Sequence, residues 1–132
     1  MQDCVNNLLI EGLVDDVGAY WVASVAMQVG GASTQAEVRE MSLQMIREVV
    51  QQGLMDIGDT VGIGYDPNLL ALYKRVEFRP WKLPFKEAMD RVEREWRALD
   101  RDPDLGEICW LVDTEKGKEL ARQLLDRGNP LS

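Results

Sequence analysis

The sequence predicts an α+β fold, mostly helical. It is a winged-helix-like three-helix core with a small two- or three-stranded antiparallel sheet and a helical insertion. Three observations carry this. Helical apolar spacing runs through the chain up to Gly53. A segment of alternating apolar positions, "LMDIGDTVGIG", follows it directly. Residues 107 to 125, "EICWLVDTEKGKELARQLL", then pass from a short apolar run into a helical pattern at Asp113-Thr114. Three helices followed by two strands of one hairpin is the winged-helix arrangement.

The elements follow in order. Val5, Leu8 and Leu9 predict a first helix over residues 2 to 12. "GLVDD" breaks it, and Asp15 or Asp16 is expected to cap a second helix running to Gln28. That helix carries Val17, Tyr20, Trp21 and Val25, and "VGGAS" ends it in a turn. Thr34 with Glu37 makes a capping box for the third helix. Val38, Met41, Met45 and Val49 form one of its rows, Leu43, Ile46 and Val50 the next, and Gly53 ends it. The alternating segment then predicts a strand through Met55, Ile57 and Val61.

Residues 62 to 83 read as an irregular insertion with Pro67, an apolar "LLALY" and "RVEFRPWKLP". A clean helix follows over 84 to 99. Phe85, Ala88, Met89, Val92, Trp96 and Leu99 make one stripe, with Pro84 at its start. "DRDPDLG" leaves it, and a strand over 107 to 112 and a helix over 115 to 127 finish the fold, with Gly128 and Pro130 as stop signals. Residues 1 to 132 therefore form one domain, with the insertion and its helix between the two wing strands.

Over most of its length the chain resembles a group of small uncharacterised bacterial proteins with a winged-helix-like arrangement. The resemblance lies in "IREVVQQGLMDIGD" and in "FRPWKLPFKEAMDRVEREWRALDRDPDLGEICW". By size and type it is also similar to immunity proteins of bacterial toxin systems. That likeness implies a binding protein rather than a catalyst.

Composition sets bounds on chemistry. The sequence has no histidine, so Ser-His-Asp triads, Cys-His pairs and H-E-x-x-H zinc sites are not available to it. Cys4 and Cys109 lie far apart and belong to no C-x-x-C unit, so reduced, buried thiols are expected. Residues 17 to 36 carry no charge but are rich in Gly, Ala, Ser and Gln, have acidic near flanks in Asp15, Asp16 and Glu37, and have no Lys or Arg to anchor their start. Neither a membrane span nor a signal peptide is expected, and the reading places the chain in the cytoplasm.

Other motifs read as structure. "DRDPDLGE" spaces Asp100, Asp102 and Asp104 like a calcium loop, but Leu105 stands where the loop needs Gly and Leu111 where it needs Glu. Gly62 and Gly64 in "VGIGYD" open no helix, so a turn is expected there rather than a phosphate cradle. Adjacent Asp15 and Asp16, and close-set Glu93 and Glu95, read as caps and solvated faces. Trp21, Trp96 and Trp110 are expected to point inward, and Trp81 to pin the insertion onto the core. No catalytic residue, cofactor or metal ligand is assigned.

Charge argues against DNA. Residues 1 to 66 hold ten acids and two bases, and residues 67 to 132 hold thirteen of each, so the net −8 belongs to the first half. The third helix sets Arg39 and Arg47 against Glu37, Glu40 and Glu48, which repels phosphates. A basic protein partner, such as a toxin domain or nuclease, suits this half better. The expected contact is Asp15, Asp16, Glu37, Glu40 and Glu48, with Trp81 as a second surface. The expected function is therefore a non-enzymatic protein-binding domain, an immunity protein neutralising a toxin. The alternative is a winged-helix-like regulator acting through a protein partner or dimer.

Overall fold

The computed structural model describes residues 1–70 and 73–127. Its elements in chain order are α1 (Gln2–Glu11), β1 (Val17–Gly18), α2 (Ala19–Gln28), α3 (Gln35–Gln51), β2 (Met55–Tyr65), β3 (Tyr73–Pro80), α4 (Phe85–Arg97), β4 (Trp110–Asp113) and α5 (Glu115–Asp126). The fold is α+β and mostly helical, with α1, α2 and α3 packed together beside an antiparallel sheet. The sheet order is β1-β4-β2-β3. β2 and β4 are the two strands expected after the third helix, and β3 and α4 are inserted between them in sequence.

Three expectations about the sheet need correction. Among the described residues it has four strands rather than two or three. Residues 62–65 and 73–80 are not irregular, because they extend β2 and form β3, paired from Gly58↔Pro80 out to Tyr65↔Tyr73. The apolar alternation of Val61, Ile63 and Tyr65 does run on into the hairpin, but Gly62 and Gly64 between them read as turn residues, and both faces are largely exposed. Gly62 and Gly64 are hence strand residues, not a turn after a strand. Third, residues 17 and 18 form β1, which pairs with β4, and α2 starts one residue later with Gly18 as its N-cap. Asp15 and Asp16 therefore do not cap α2.

The helices match their sequence patterns more closely. In α3 the Thr34 hydroxyl accepts from the Glu37 N–H at 3.1 Å, and the Glu37 carboxylate accepts from the Thr34 N–H at 3.1 Å. Gly53 takes the left-handed conformation at φ 71° that lets the chain leave α3 for β2. Val38, Leu43, Met45, Ile46 and Val49 of α3 are buried, as are Ala88, Met89, Val92 and Trp96 of α4. Both rows feed one core with Leu8, Leu9, Val22, Val17, Met55 and Leu111. The stop signals Gly128 and Pro130, and residues 71 and 72 of the apolar patch, lie outside the described residues.

The "TEKG" stretch has a packing explanation. Thr114 caps α5 by accepting from the Gly117 N–H at 3.1 Å, and its hydroxyl donates to the Gly53 carbonyl at 2.6 Å. Lys116 Nζ donates to the Gln52 carbonyl at 2.9 Å, closing the C-terminal end of α3. A Cβ on Gly117 would run into the Leu54 carbonyl oxygen. The glycine thus sets how close α5 comes to the start of β2. Alanine is the better helix former by about 1 kcal/mol. Even so, Gly117→Ala is expected to lower stability by about 1–2 kcal/mol, because backbone must shift to admit the methyl. Chemical denaturation checks this, and a midpoint unchanged or raised would show that α5 can slide outward freely.

Candidate functional site: an acidic cleft on the outer sheet face

Residues opposed in an antiparallel ladder point to the same face. Val17, Leu111 and Ile57 form one row across β1, β4 and β2, all buried against the helices. The next row is Gly18, Trp110, Gly58 and Pro80, and it lies on the opposite, outer face. Its two glycines flank the Trp110 ring. A Cβ on Gly18 would strike the Tyr20 ring and press on Trp110, and one on Gly58 would strike the Arg79 carbonyl. Trp110 is thus half-buried on the outer face and not inward as its strand pattern predicts. Tyr20 meets it edge to face with centroids 6.2 Å apart.

Trp110 and Tyr20 line a cleft of about 490 Å³ with Asp15, Asp16, Thr60, Val76 and Leu105. Val76 is 65% exposed and Leu105 70% exposed, so the cleft is bordered by apolar side chains left in water. The loop carrying Leu105 is held by Arg101, whose guanidinium meets Glu107 at 2.5 and 2.9 Å. Glu107 also accepts from the Asp104 N–H at 2.7 Å. These bonds, from Arg101 first, hold the Glu107 carboxyl down at about 2. The acid-rich "DRDPDLGE" stretch therefore works as a clasp. Ile108 enters β4 at φ 71°, a left-handed conformation that costs a β-branched residue about 1–3 kcal/mol.

The acids bordering the cleft lack cationic partners. Among the described residues, no ion pair includes Asp15 or Asp16. Asp15 accepts from the Asp16 N–H at 2.8 Å, which turns the two side chains into one rim. Burial, and then the neighbouring Asp15 charge, push the Asp16 carboxyl up.

The other expected contact residues lie elsewhere. Glu37 is exposed, but its carboxylate is occupied by the α3 cap, and hydrogen bonds from Thr34 and Ser33 hold it below its ordinary value. Glu40 meets Arg39 at 3.3 Å and Arg97 of α4 at 2.9 Å, so its charge is compensated. Glu48 is half-buried on α3. None of the three lines the cleft. Trp81 is half-buried, packs on the core as predicted, and is covered by Arg91 at 3.9 Å from its ring centre. Tyr20, Thr60, Val76, Leu105 and Trp110 are site residues that the sequence does not single out. The pairing of β4 with both β1 and β2, and of β2 with β3, brings them together with the loop before β4, and no spacing along the chain encodes it.

Both cysteines are free and buried, and burial pushes the Cys109 thiol up to about 12. At neutral pH that thiol is no nucleophile. No helix among the described residues is long and apolar enough to cross a membrane. No protein-family model, no curated protein and no solved structure matches this chain.

Proposed function

We propose that the chain is a non-enzymatic protein-binding domain that acts in the cytoplasm as an immunity protein, sequestering a basic toxin partner. The observation that carries the reading is the unpaired Asp15–Asp16 rim over an aromatic floor. An Arg or Lys from the partner fits such a cleft. Its aliphatic stem would lie on Trp110, Val76 and Leu105, and its cationic head would meet the two carboxylates. Buried Arg contacts of this kind dominate many interfaces. The net charge of −8 adds steering toward a cationic surface.

A winged-helix-like regulator is the second reading, favoured by the pairing of β2 with β4 after three helices. Two features weigh against direct contact with DNA. α4 packs on α3, the helix that would read a groove, and Arg97 is engaged with Glu40 across that contact. Such a regulator would act through a protein.

The test takes the basic proteins encoded beside this chain, each expressed alone and together with it. One is expected to arrest growth, and the chain to relieve the arrest and co-elute with that protein. Changing Asp15→Lys and Asp16→Lys together should slow association about tenfold without lowering the melting temperature. If no neighbour forms a complex, the immunity reading fails. If the double reversal associates as fast as the parent, the cleft is not the contact.

A further inference from the structure

β3 is one of the two edge strands of the sheet, and residues 73 to 77, Arg79 and Pro80 are all exposed. An open edge of this length is a template for another strand. Its phase is fixed by one bond, from the Trp81 N–H to the Ile57 carbonyl at 3.1 Å. Alternation then turns the odd-numbered residues of β3 toward β2. The N–H and C=O groups of Lys74, Val76 and Phe78 face outward. Pro80 falls in the same outward set, where its missing N–H costs the sheet nothing.

We propose that a second copy of the chain pairs with this edge, β3 antiparallel to β3, with Val76 on the two-fold axis. Backbone phase and side-chain charge select this register together. With Val76 on the axis, the outward groups of Val76 meet themselves, and those of Lys74 meet those of Phe78, making about six main-chain hydrogen bonds. Arg75 of each copy then stands opposite Glu77 of the other, an attractive pair made twice. Tyr73 stands opposite Arg79.

The neighbouring registers fail. An axis at Arg75 sets arginine against arginine. An axis at Glu77 sets glutamate against glutamate and Arg75 against Arg79. An axis at Lys74 sets lysine against lysine. An axis at Phe78 restores an attractive Glu77–Arg79 pair but puts Pro80, which has no N–H to give, opposite Val76. Lys74 and Pro80 thus guard the ends of the edge, while the stretch between them is self-complementary. This pairing borders the partner cleft at Val76 but leaves it open, because a strand added in the plane of the sheet continues its outer face instead of covering it.

The experiment is a charge swap read by sedimentation or light scattering on the whole chain. The parent is expected to be a concentration-dependent dimer. Arg75→Glu alone places four acids across the axis, and Glu77→Arg alone places four arginines, so each should weaken the dimer by about tenfold or more. An equal mixture of the two single variants should dimerise again. The all-acidic strand of one variant then lies across from the all-arginine strand of the other, and both cross-strand pairs are attractive. Circular dichroism on each variant separates loss of pairing from loss of fold. A parent that stays monomeric at concentrations used for nuclear magnetic resonance overturns the proposal. So does a dimer indifferent to the single changes, or one that the mixture fails to restore.

Discussion

Trp96→Ala is expected to lower the stability of the chain by about 3–5 kcal/mol. The indole is 3% exposed and sits in the core with Val92 and Met89 of the same helix. Its removal leaves a cavity bounded by α3 and α4, two rigid helices that cannot close over the space freely. Such a loss is a large part of the roughly 5–15 kcal/mol that holds a typical domain folded. It corresponds to a melting temperature lower by about 10–20 °C. Leu125→Ala on α5 is the control. That side chain is 48% exposed, and its truncation should stay within about 0.5 kcal/mol. A melting temperature unchanged by Trp96→Ala would mean that α4 does not dock through this stripe. The cover over α3 would then be lost, and the case against DNA contact would rest on charge alone.

The helices are legible in the sequence because each is amphipathic and punctuated. The α4 stripe has its period written in Phe85, Ala88, Met89, Val92 and Trp96, and those residues do pack inward. The α3 cap is written in Thr34 and Glu37. The hairpin is not legible. β2 beyond Asp59 alternates Thr60, Gly62 and Gly64 on one face with Val61 and Ile63 on the other, and both faces meet solvent. Its short alternation is interrupted by glycines that read as turn residues, so the pattern reads as stopping where the strand in fact continues. The cleft is hidden for a related reason. Asp15 and Asp16 are visible as acids, but the aromatic floor beneath them comes from α2 and β4, far apart along the chain. Glu37 and Glu40 illustrate the converse. Their charge is countable in the sequence, yet a cap and an ion pair already engage them. A charge reversal at either would disturb α3 as well as any partner, so Asp15 and Asp16 are the cleaner positions to test.

The second large effect concerns Asp113, the last residue of β4. Its side chain is buried, 4% exposed, and neither carboxylate oxygen has a hydrogen-bond partner among the described residues. It lies against Gly12 at the end of α1, so closely that a Cβ there would overlap the carboxylate. Burial pushes its pKa up to about 7, only partly offset by the Lys118 charge. An unfolded Asp titrates near about 3.9. Between those two values the unfolded chain gives up this proton and the folded chain keeps it, so ionisation favours unfolding as pH rises. The stabilising contribution is therefore complete below about pH 4, falls steadily to about pH 7 and is absent above. The full swing is on the order of 4 kcal/mol, the distance from about 3.9 to about 7 converted at about 1.36 kcal/mol for each tenfold change in proton affinity. Asp113→Asn keeps the shape and removes the titration. Its stability relative to the parent should rise across about pH 4 to 7 and then level off. Any fixed cost of burying the amide shifts that curve without tilting it, so the slope is the measurement. A difference between the two proteins that stays constant from about pH 4 to 8 would mean that Asp113 ionises in the folded state as it does in water. Its side chain would then have to be reaching solvent past Gly12.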